Sequence, residues 1–109
     1  MLHSKNTVAI PPGETVREQL EDRGMSQREF SLRMGISEKH ISRLINGKVE
    51  LTSDMALRLE TVLGLPAAYW NNLESIYRDK LARVKVELEM EHRIPYNRYS
   101  ELKIKYGIV

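Results

Sequence analysis

The segment from Ser26 to Lys48, SQREFSLRMGISEKHISRLINGK, restricts the possible folds more than any other part of the chain. Ser26 followed by Glu29 has the spacing of a capping box, in which each side chain satisfies an otherwise unpaired backbone N–H at the start of a helix. Gly35 stands where the end of that helix favours a left-handed backbone. These residues predict a short helix from about 27 to 34 that ends in a tight turn.

A second short helix is predicted from about 38 to 45. Ser37 can cap its start, Ile41 and Leu44 fall on its inward face, and the Asn-Gly dipeptide at 46–47 is a stop signal at its end. Two short helices around a tight turn have the layout of a helix-turn-helix, whose second helix enters the major groove of DNA. The outward side chains of that helix can all donate or accept hydrogen bonds: Glu38, Lys39, His40, Ser42 and Arg43.

Positive charge is concentrated in the same region. The whole chain carries 17 Lys and Arg against 15 Asp and Glu, which by itself is weak support for an anionic partner. Residues 23–48 carry six basic and two acidic residues, a balance of +4, whereas residues 1–64 as a whole carry nine of each. A phosphate-facing surface requires such clustering, although a solvated helical surface of mixed charge is the alternative.

Composition argues against several functional classes. The chain has no cysteine, hence no disulfide framework and no thiolate metal site, which fits a reducing cytoplasm. It has no long apolar run that would span a membrane. Because His3, His40 and His92 are far apart and no H-E-x-x-H motif occurs, we expect no metal and no other cofactor. We also find no nucleophile–base pairing and no glycine-rich phosphate loop, so we do not expect an enzyme.

The rest of the chain also predicts helices. We expect residues 1–12 to form an extended N-terminal tail, followed by a first helix from about Glu14 to Arg23. A fourth helix is predicted to begin after a cap at Thr52 or Ser53 and to end at Gly64. We find no alternating strand pattern and no internal repeat. Short helices with short links are typical of a small all-α bundle.

A longer fifth helix is predicted to begin after Pro66 and to reach about His92, since the residue before Pro95 disfavours further helix. Its apolar positions recur at helical spacing: Trp70, Leu73, Tyr77, Leu81, Val84 and Leu88. At roughly 39 Å this helix is longer than the other helices can cover, so the far half of the stripe needs a partner. We expect a second copy of the chain to cover it; the alternative is that the tail, residues 96–109, folds back over it.

Motifs in all five predicted helical regions occur in a characteristic order. They are PGE at the first helix, MSQ at the second, INGK after the third, SDMALRLE in the fourth and YWNNLE in the fifth. With these motifs, residues 11–78 resemble the HigA-type antitoxins, which belong to the Xre/lambda-repressor-like helix-turn-helix proteins. The resemblance implies a compact all-α bundle of about five helices with the fifth extended. It also implies a DNA-binding domain over 13–78 and, over 79–109, a helical extension with a tyrosine-rich tail that serves dimerisation or acts as a connector.

The resemblance also implies a function. HigA-type antitoxins dimerise on operator DNA, repress their own operon and neutralise a partner toxin, usually a ribosome-dependent messenger-RNA nuclease. We therefore expect a homodimer on double-stranded DNA with an inverted repeat, and a partner toxin. The segment IPYNRYSELKIKYGIV is also similar to the connector that joins such a domain to a zinc-peptidase-like domain in larger relatives. The alternative function is therefore that of an N-terminal DNA-binding module of a longer protein.

Candidate base-reading residues follow from the same resemblance. In lambda-type repressors the first residues of the third helix and the residue one turn later touch base edges, and these positions carry Glu38, Lys39 and Arg43 here. Arg43 and Lys39 suit guanine O6 and N7, and Glu38 suits cytosine N4. Glu38 is alternatively a helix-dipole partner, Arg43 a phosphate contact and His40 a solvent-facing side chain.

Candidate phosphate contacts lie on either side of the third helix. Gln27 matches the family glutamine that holds the DNA backbone and braces the third helix, and Asn46 and Lys48 lie just past that helix. Asparagine before glycine is also a helix stop, which is the alternative role of Asn46. The full set of expected DNA contacts is Gln27, Ser37, Glu38, Lys39, His40, Ser42, Arg43, Asn46 and Lys48.

Overall fold

Five α-helices carry the fold in the computed structural model, which describes residues 2–93. They are α1 (Pro12–Arg23), α2 (Gln27–Met34), α3 (Glu38–Ile45), α4 (Ser53–Leu63) and α5 (Ala67–Arg93). Two short strands, β1 (Leu2–His3) and β2 (Val8–Ala9), precede them. The predicted five-helix architecture with an extended last helix is confirmed. None of the described helices is long and apolar enough to cross a membrane. The predicted tail and connector, residues 94–109, lie outside the described residues.

Local signals place the starts of α2 and α4 where the sequence predicts them. Ser26 accepts a hydrogen bond from the Glu29 N–H at 3.0 Å, and Thr52 accepts one from Met55 at 3.2 Å. Helix α1 begins two residues earlier than the predicted Glu14, because Pro12 occupies its first turn, where the missing N–H costs nothing.

The main core lies between the helices and encloses α3 from behind. Its largest fully buried side chains are Trp70 of α5 and Phe30 of α2. The remaining members come from α1 to α4 and one link: Val16, Leu20, Met34, Ile41, Leu44, Ile45, Leu51, Met55, Ala56, Leu59 and Leu63. Helix α1 crosses the end of α3 so closely that a Cβ on Gly13 would lie 2.3 Å from the Leu44 carbonyl oxygen. This crossing fixes α3 against the body of the protein.

A hairpin replaces the extended tail that the sequence predicted at the N-terminus. Strands β1 and β2 pair antiparallel, with Leu2 opposite Ala9 and His3 opposite Val8. Ala9 is fully buried in a second core cluster formed with α5. Strands of two residues carry too few positions to show an alternating pattern, so the sequence gives no signal for them.

The hairpin covers the part of α5 that extends beyond the main core. Ala9 packs with Tyr77, Leu81 and Val84, and Val84 is completely buried. Glu87 accepts hydrogen bonds from the hydroxyls of Ser4 and, at 2.8 Å, Thr7. In the far half of the predicted stripe, Leu81 and Val84 are therefore covered by residues 2–9 of the same chain, which neither sequence-based alternative had named, whereas Leu88 remains 37% exposed.

Candidate nucleic-acid interface

Helix α3 presents one polar side to solvent because its other side is anchored in the core. Ile41, Leu44 and Ile45 are at most 2% exposed. The Ser37 hydroxyl accepts a hydrogen bond from the His40 N–H at 3.1 Å and so fixes the start of the helix. An exposed polar edge on a rigidly held helix is what a groove-reading element requires.

The turn between α2 and α3 sets the angle of that edge. Gly35 adopts φ 68°, a left-handed backbone that ends α2, and the Ile36 N–H bonds back to the Ser31 carbonyl at 3.1 Å. Ser31 is 7% exposed, and its hydroxyl donates to the Arg28 carbonyl at 2.8 Å. Because this small side chain is satisfied within its own helix, the two helices can close together.

Asn46 connects the end of α3 to α1. Its side-chain amide donates to the Ser42 carbonyl at 2.9 Å, which supports the helix-stop role that the sequence left open. Its carbonyl Oδ1 accepts from Nη2 of Arg17 at 3.2 Å. Arg17 lies on α1 with its Nε 3.7 Å from a Glu14 carboxylate oxygen. Sequence reasoning missed Arg17, since a contact across 29 residues leaves no local spacing signal.

Three cations surround the exposed edge without a carboxylate partner. Lys39, Arg43 and Lys48 are exposed, and no ion pair involves them within residues 2–93. Arg33, on the neighbouring helix, is instead paired with Glu29 at 2.9 Å. Unpaired cations on one rigid edge remain available for phosphates or base acceptors.

None of the nine predicted contact residues is buried. Gln27, His40 and Ser42 are half-buried, and the other six are exposed: Ser37, Glu38, Lys39, Arg43, Asn46 and Lys48. Gln27 begins α2 and lines a shallow groove of about 420 Å³ together with Arg17, Ser26 and Ile45. In the part of the chain that the structure describes, no three His, Cys, Asp or Glu side chains converge as metal ligands.

This fold and this exposed edge define a helix-turn-helix DNA-binding protein. Residues 16–70 match the helix-turn-helix family, and the chain belongs to that family. It is 34% identical over 83 residues to an uncharacterised helix-turn-helix transcriptional regulator, YddM of Escherichia coli, and the match covers 76% of this chain and 88% of YddM.

Solved structures confirm the expected kinship with HigA-type antitoxins. An addiction module antidote protein of the HigA family from Coxiella burnetii is 31% identical, with a TM-score of 0.68 over 81% of this chain and 98% of that one. Antitoxin HigA of Pseudomonas aeruginosa, solved with the higBA promoter, is 27% identical, with a TM-score of 0.69 over 82% of this chain and 98% of that one. The chain thus belongs among DNA-binding regulators whose structural neighbours are antitoxins.

Proposed function

We propose that this protein is a sequence-specific repressor that binds an inverted-repeat operator as a homodimer, represses its own operon and neutralises a partner toxin. The observation that carries the proposal is the polar edge of α3, where Lys39 and Arg43 stand exposed and unpaired while Ile41 and Leu44 hold the helix from behind. The Pseudomonas HigA, solved with the higBA promoter, supports the DNA-binding part of the proposal.

Base recognition is assigned to the exposed first turn of α3 and to the residue one turn later. Arg43 forks onto guanine O6 and N7, Lys39 reaches the same acceptors, and Glu38 accepts from cytosine N4. His40 and Ser42 are half-buried at the side of the edge and contact the groove wall. Each good base contact discriminates by roughly 1–3 kcal/mol.

Phosphate contacts are assigned to the two ends of the motif. Gln27 at the start of α2 and Ser37 at the start of α3 hold one strand, while Asn46 and Lys48 hold the backbone beyond α3. The balance of +4 that residues 23–48 carry suits about four neutralised phosphates per copy, which correspond to a salt slope near −3.6, and two copies double it. Such contacts fix the register of the protein on the duplex without reading sequence.

Selection from a randomised duplex pool tests the DNA-binding proposal. The expected product is an inverted repeat with half-site centres about 34 Å apart. Arg43→Ala should relax the preference at one base pair per half-site, whereas Lys48→Ala should weaken binding to all sequences alike. Lys85→Ala, which removes an exposed lysine of α5, is the matched control and should leave both readouts unchanged.

Two results would contradict this assignment. Equal losses on every sequence after Arg43→Ala would remove its base-reading role. A wild-type protein that retains no duplex even in dilute buffer would refute DNA binding altogether.

Co-expression tests the antitoxin part of the proposal. The antidote and antitoxin among the structural neighbours support it. A small reading frame adjoining this gene is expected to encode a protein that arrests growth and co-purifies with this chain. If this chain neither binds that product nor relieves the arrest, repression stands without the antitoxin activity.

A further inference from the structure

A fourth cation reaches the end of α3 from outside the helix-turn-helix. Arg17 lies on α1, and its Nη2 donates a hydrogen bond to Oδ1 of Asn46 at 3.2 Å. Asn46 directly follows the last residue of α3, and Lys48 lies two residues further along the chain. The Arg17 guanidinium therefore lies in the region to which contacts with the DNA backbone beyond α3 are assigned above.

The Arg17 side chain is already held in one orientation in the free protein. Its Nε is buried, has no hydrogen-bond partner among residues 2–93 and lies 3.7 Å from a Glu14 carboxylate oxygen. Its Nη2 is bonded to Asn46, so the guanidinium is fixed at two of its nitrogen atoms. An arginine fork that is oriented beforehand loses less conformational entropy for each hydrogen bond that it forms with a phosphate.

The same guanidinium keeps donors that a phosphate can use. The planar arginine fork carries several N–H donors, of which the hydrogen bond to Asn46 uses one and the buried Nε–H is a second. The remaining N–H groups belong to Nη1 and Nη2 of a side chain that is 43% exposed. Arginine forks of this kind bind phosphate oxygens with two parallel hydrogen bonds.

The amide of Asn46 presents a donor beside these N–H groups. Its Nδ2 donates to the Ser42 carbonyl at 2.9 Å, while its Oδ1 accepts from Arg17. Nδ2 also lies 3.5 Å from Ser42 Oγ, a distance at which a hydrogen bond is weak. Because Arg17 occupies the acceptor end of the amide, a phosphate oxygen beside Asn46 would meet donors from both side chains.

Arg17 also connects the two ends of the motif. It lines the shallow groove of about 420 Å³ that contains Gln27, the phosphate contact assigned to the start of α2. Glu21 lines this groove as well, so the groove itself is not uniformly positive. The position beside Asn46, where the guanidinium and the amide donors meet, therefore suits a phosphate better than the groove does.

We propose that Arg17 binds a DNA phosphate beyond α3 together with Asn46, so that α1 takes part in the DNA interface. On binding, the phosphate replaces the Glu14 carboxylate as the anion beside the guanidinium. This proposal rests on the DNA binding proposed above and adds a contact that the helix-turn-helix itself does not supply.

The salt dependence of binding to a duplex with one half-site tests the contact. Arg17→Gln keeps an amide donor for Asn46 but loses the charge, so the plot of log affinity against log salt should become shallower by about 0.9. Affinity in dilute buffer should fall about tenfold, because a hydrogen bond to a charged group is lost. The loss should be equal on all sequences, since phosphate contacts carry no sequence information.

Two further variants control this experiment. Arg17→Lys keeps the charge and loses the fork, so its salt slope should equal that of the wild type. Arg33→Gln is the matched control, because Arg33 is likewise exposed and paired with a glutamate, at 2.9 Å, but lies on the side of α2 that faces α4. It should change neither the slope nor the affinity. Circular dichroism checks that every variant is folded under the binding conditions.

Neutralising Glu14 tests the exchange of anions. Glu14→Gln should tighten binding about threefold, because the guanidinium no longer has to leave a carboxylate. Asp22→Asn removes the same charge from an exposed position near the other end of α1 and is the control. Equal effects of the two variants would contradict the exchange.

The salt slopes also separate this proposal from the proposed function. If the wild type binds the duplex and folded Arg17→Gln has the same slope, Arg17 only orients Asn46, and the phosphate contact is refuted while DNA binding stands. If the wild type retains no duplex in dilute buffer, the proposed DNA binding is refuted and this contact with it.

Discussion

The helix-turn-helix and the N-terminal hairpin are held in place by contacts of opposite range in sequence. In the first, Ser26 and Ser37 cap helices whose bonded N–H groups lie three residues away in sequence. In the second, the bond from Ser4 to Glu87 spans 83 residues and the bond from Thr7 spans 80. One region is fixed by contacts that are close in sequence, and the other is attached to α5 by contacts that are distant in sequence.

This difference matches the different tasks of the two regions. An edge proposed to read bases must be held in one orientation, and local caps together with the buried Ile41 and Leu44 achieve this. The hairpin instead covers the end of a long helix, which needs apolar contact but no such orientation. Substitutions in the two regions should therefore differ in how much stability they remove and in whether they also weaken DNA binding.

The largest loss of stability is expected from a substitution where α1 crosses α3. Gly13→Ala would place a Cβ 2.3 Å from the Leu44 carbonyl oxygen and 2.4 Å from that of Ile45. Backbone atoms cannot rotate away, so we expect roughly 3 kcal/mol of lost stability in urea unfolding, and weaker DNA binding, because α3 is displaced.

A second glycine provides the control for that prediction. Gly24 has φ 62° and open space where the methyl group of an alanine would lie, so Gly24→Ala carries only the backbone penalty of about 1 kcal/mol. Equal losses of stability for both variants would show that the α1–α3 crossing is not what holds α3 in place.

The next effect is expected in the second core cluster. Val84 is completely buried beneath the hairpin, whereas Val86, two residues on, is 58% exposed. Val84→Ala should cost roughly 2 kcal/mol through lost burial and a small cavity, and Val86→Ala should stay within about 0.5 kcal/mol in the dissociated chain. Thermal unfolding at low protein concentration measures both. An unchanged stability after Val84→Ala would mean that the hairpin does not contribute a core of its own.

Local chemistry explains how much could be predicted. The bounds of α2 and α3 follow from serine caps and from glycine in a left-handed backbone, and the structure has them where the sequence predicts. All nine candidate contact residues are exposed or half-buried, as a surface site requires. Their individual contacts with DNA remain predictions.

What the sequence could not predict depends on distant parts of the chain. The hairpin is hydrogen-bonded to Glu87, and Oδ1 of Asn46 accepts a hydrogen bond from Arg17, 29 residues earlier. Both are polar contacts between elements that meet only after folding, so no spacing within one element indicates them.

The smallest effect is expected at the polar contact between the hairpin and α5. Glu87→Gln replaces a carboxylate that accepts from two hydroxyls by an amide with one acceptor oxygen, so the hairpin should open more often. Hydrogen exchange at the Ser4 N–H, which bonds the Thr7 carbonyl at 2.8 Å, should accelerate while the amides of α3 stay protected. Glu91→Gln, one turn further along α5, is the matched control and should change neither.

The pH dependence sharpens this last comparison. Hydrogen bonds from Ser4 and then Thr7 hold the pKa of Glu87 below its ordinary value. A carboxyl whose pKa is lower in the folded state stabilises that state above its unfolded pKa, and the stabilisation is lost as pH falls through the folded pKa. Exchange at Ser4, corrected for its intrinsic rate, should therefore be constant near neutral pH and accelerate as pH falls below about 4. Glu87→Gln should abolish that acceleration. If the acceleration persists in the variant, a group other than Glu87 holds the hairpin against α5. The contact with Glu87 would then not explain how the hairpin is fixed.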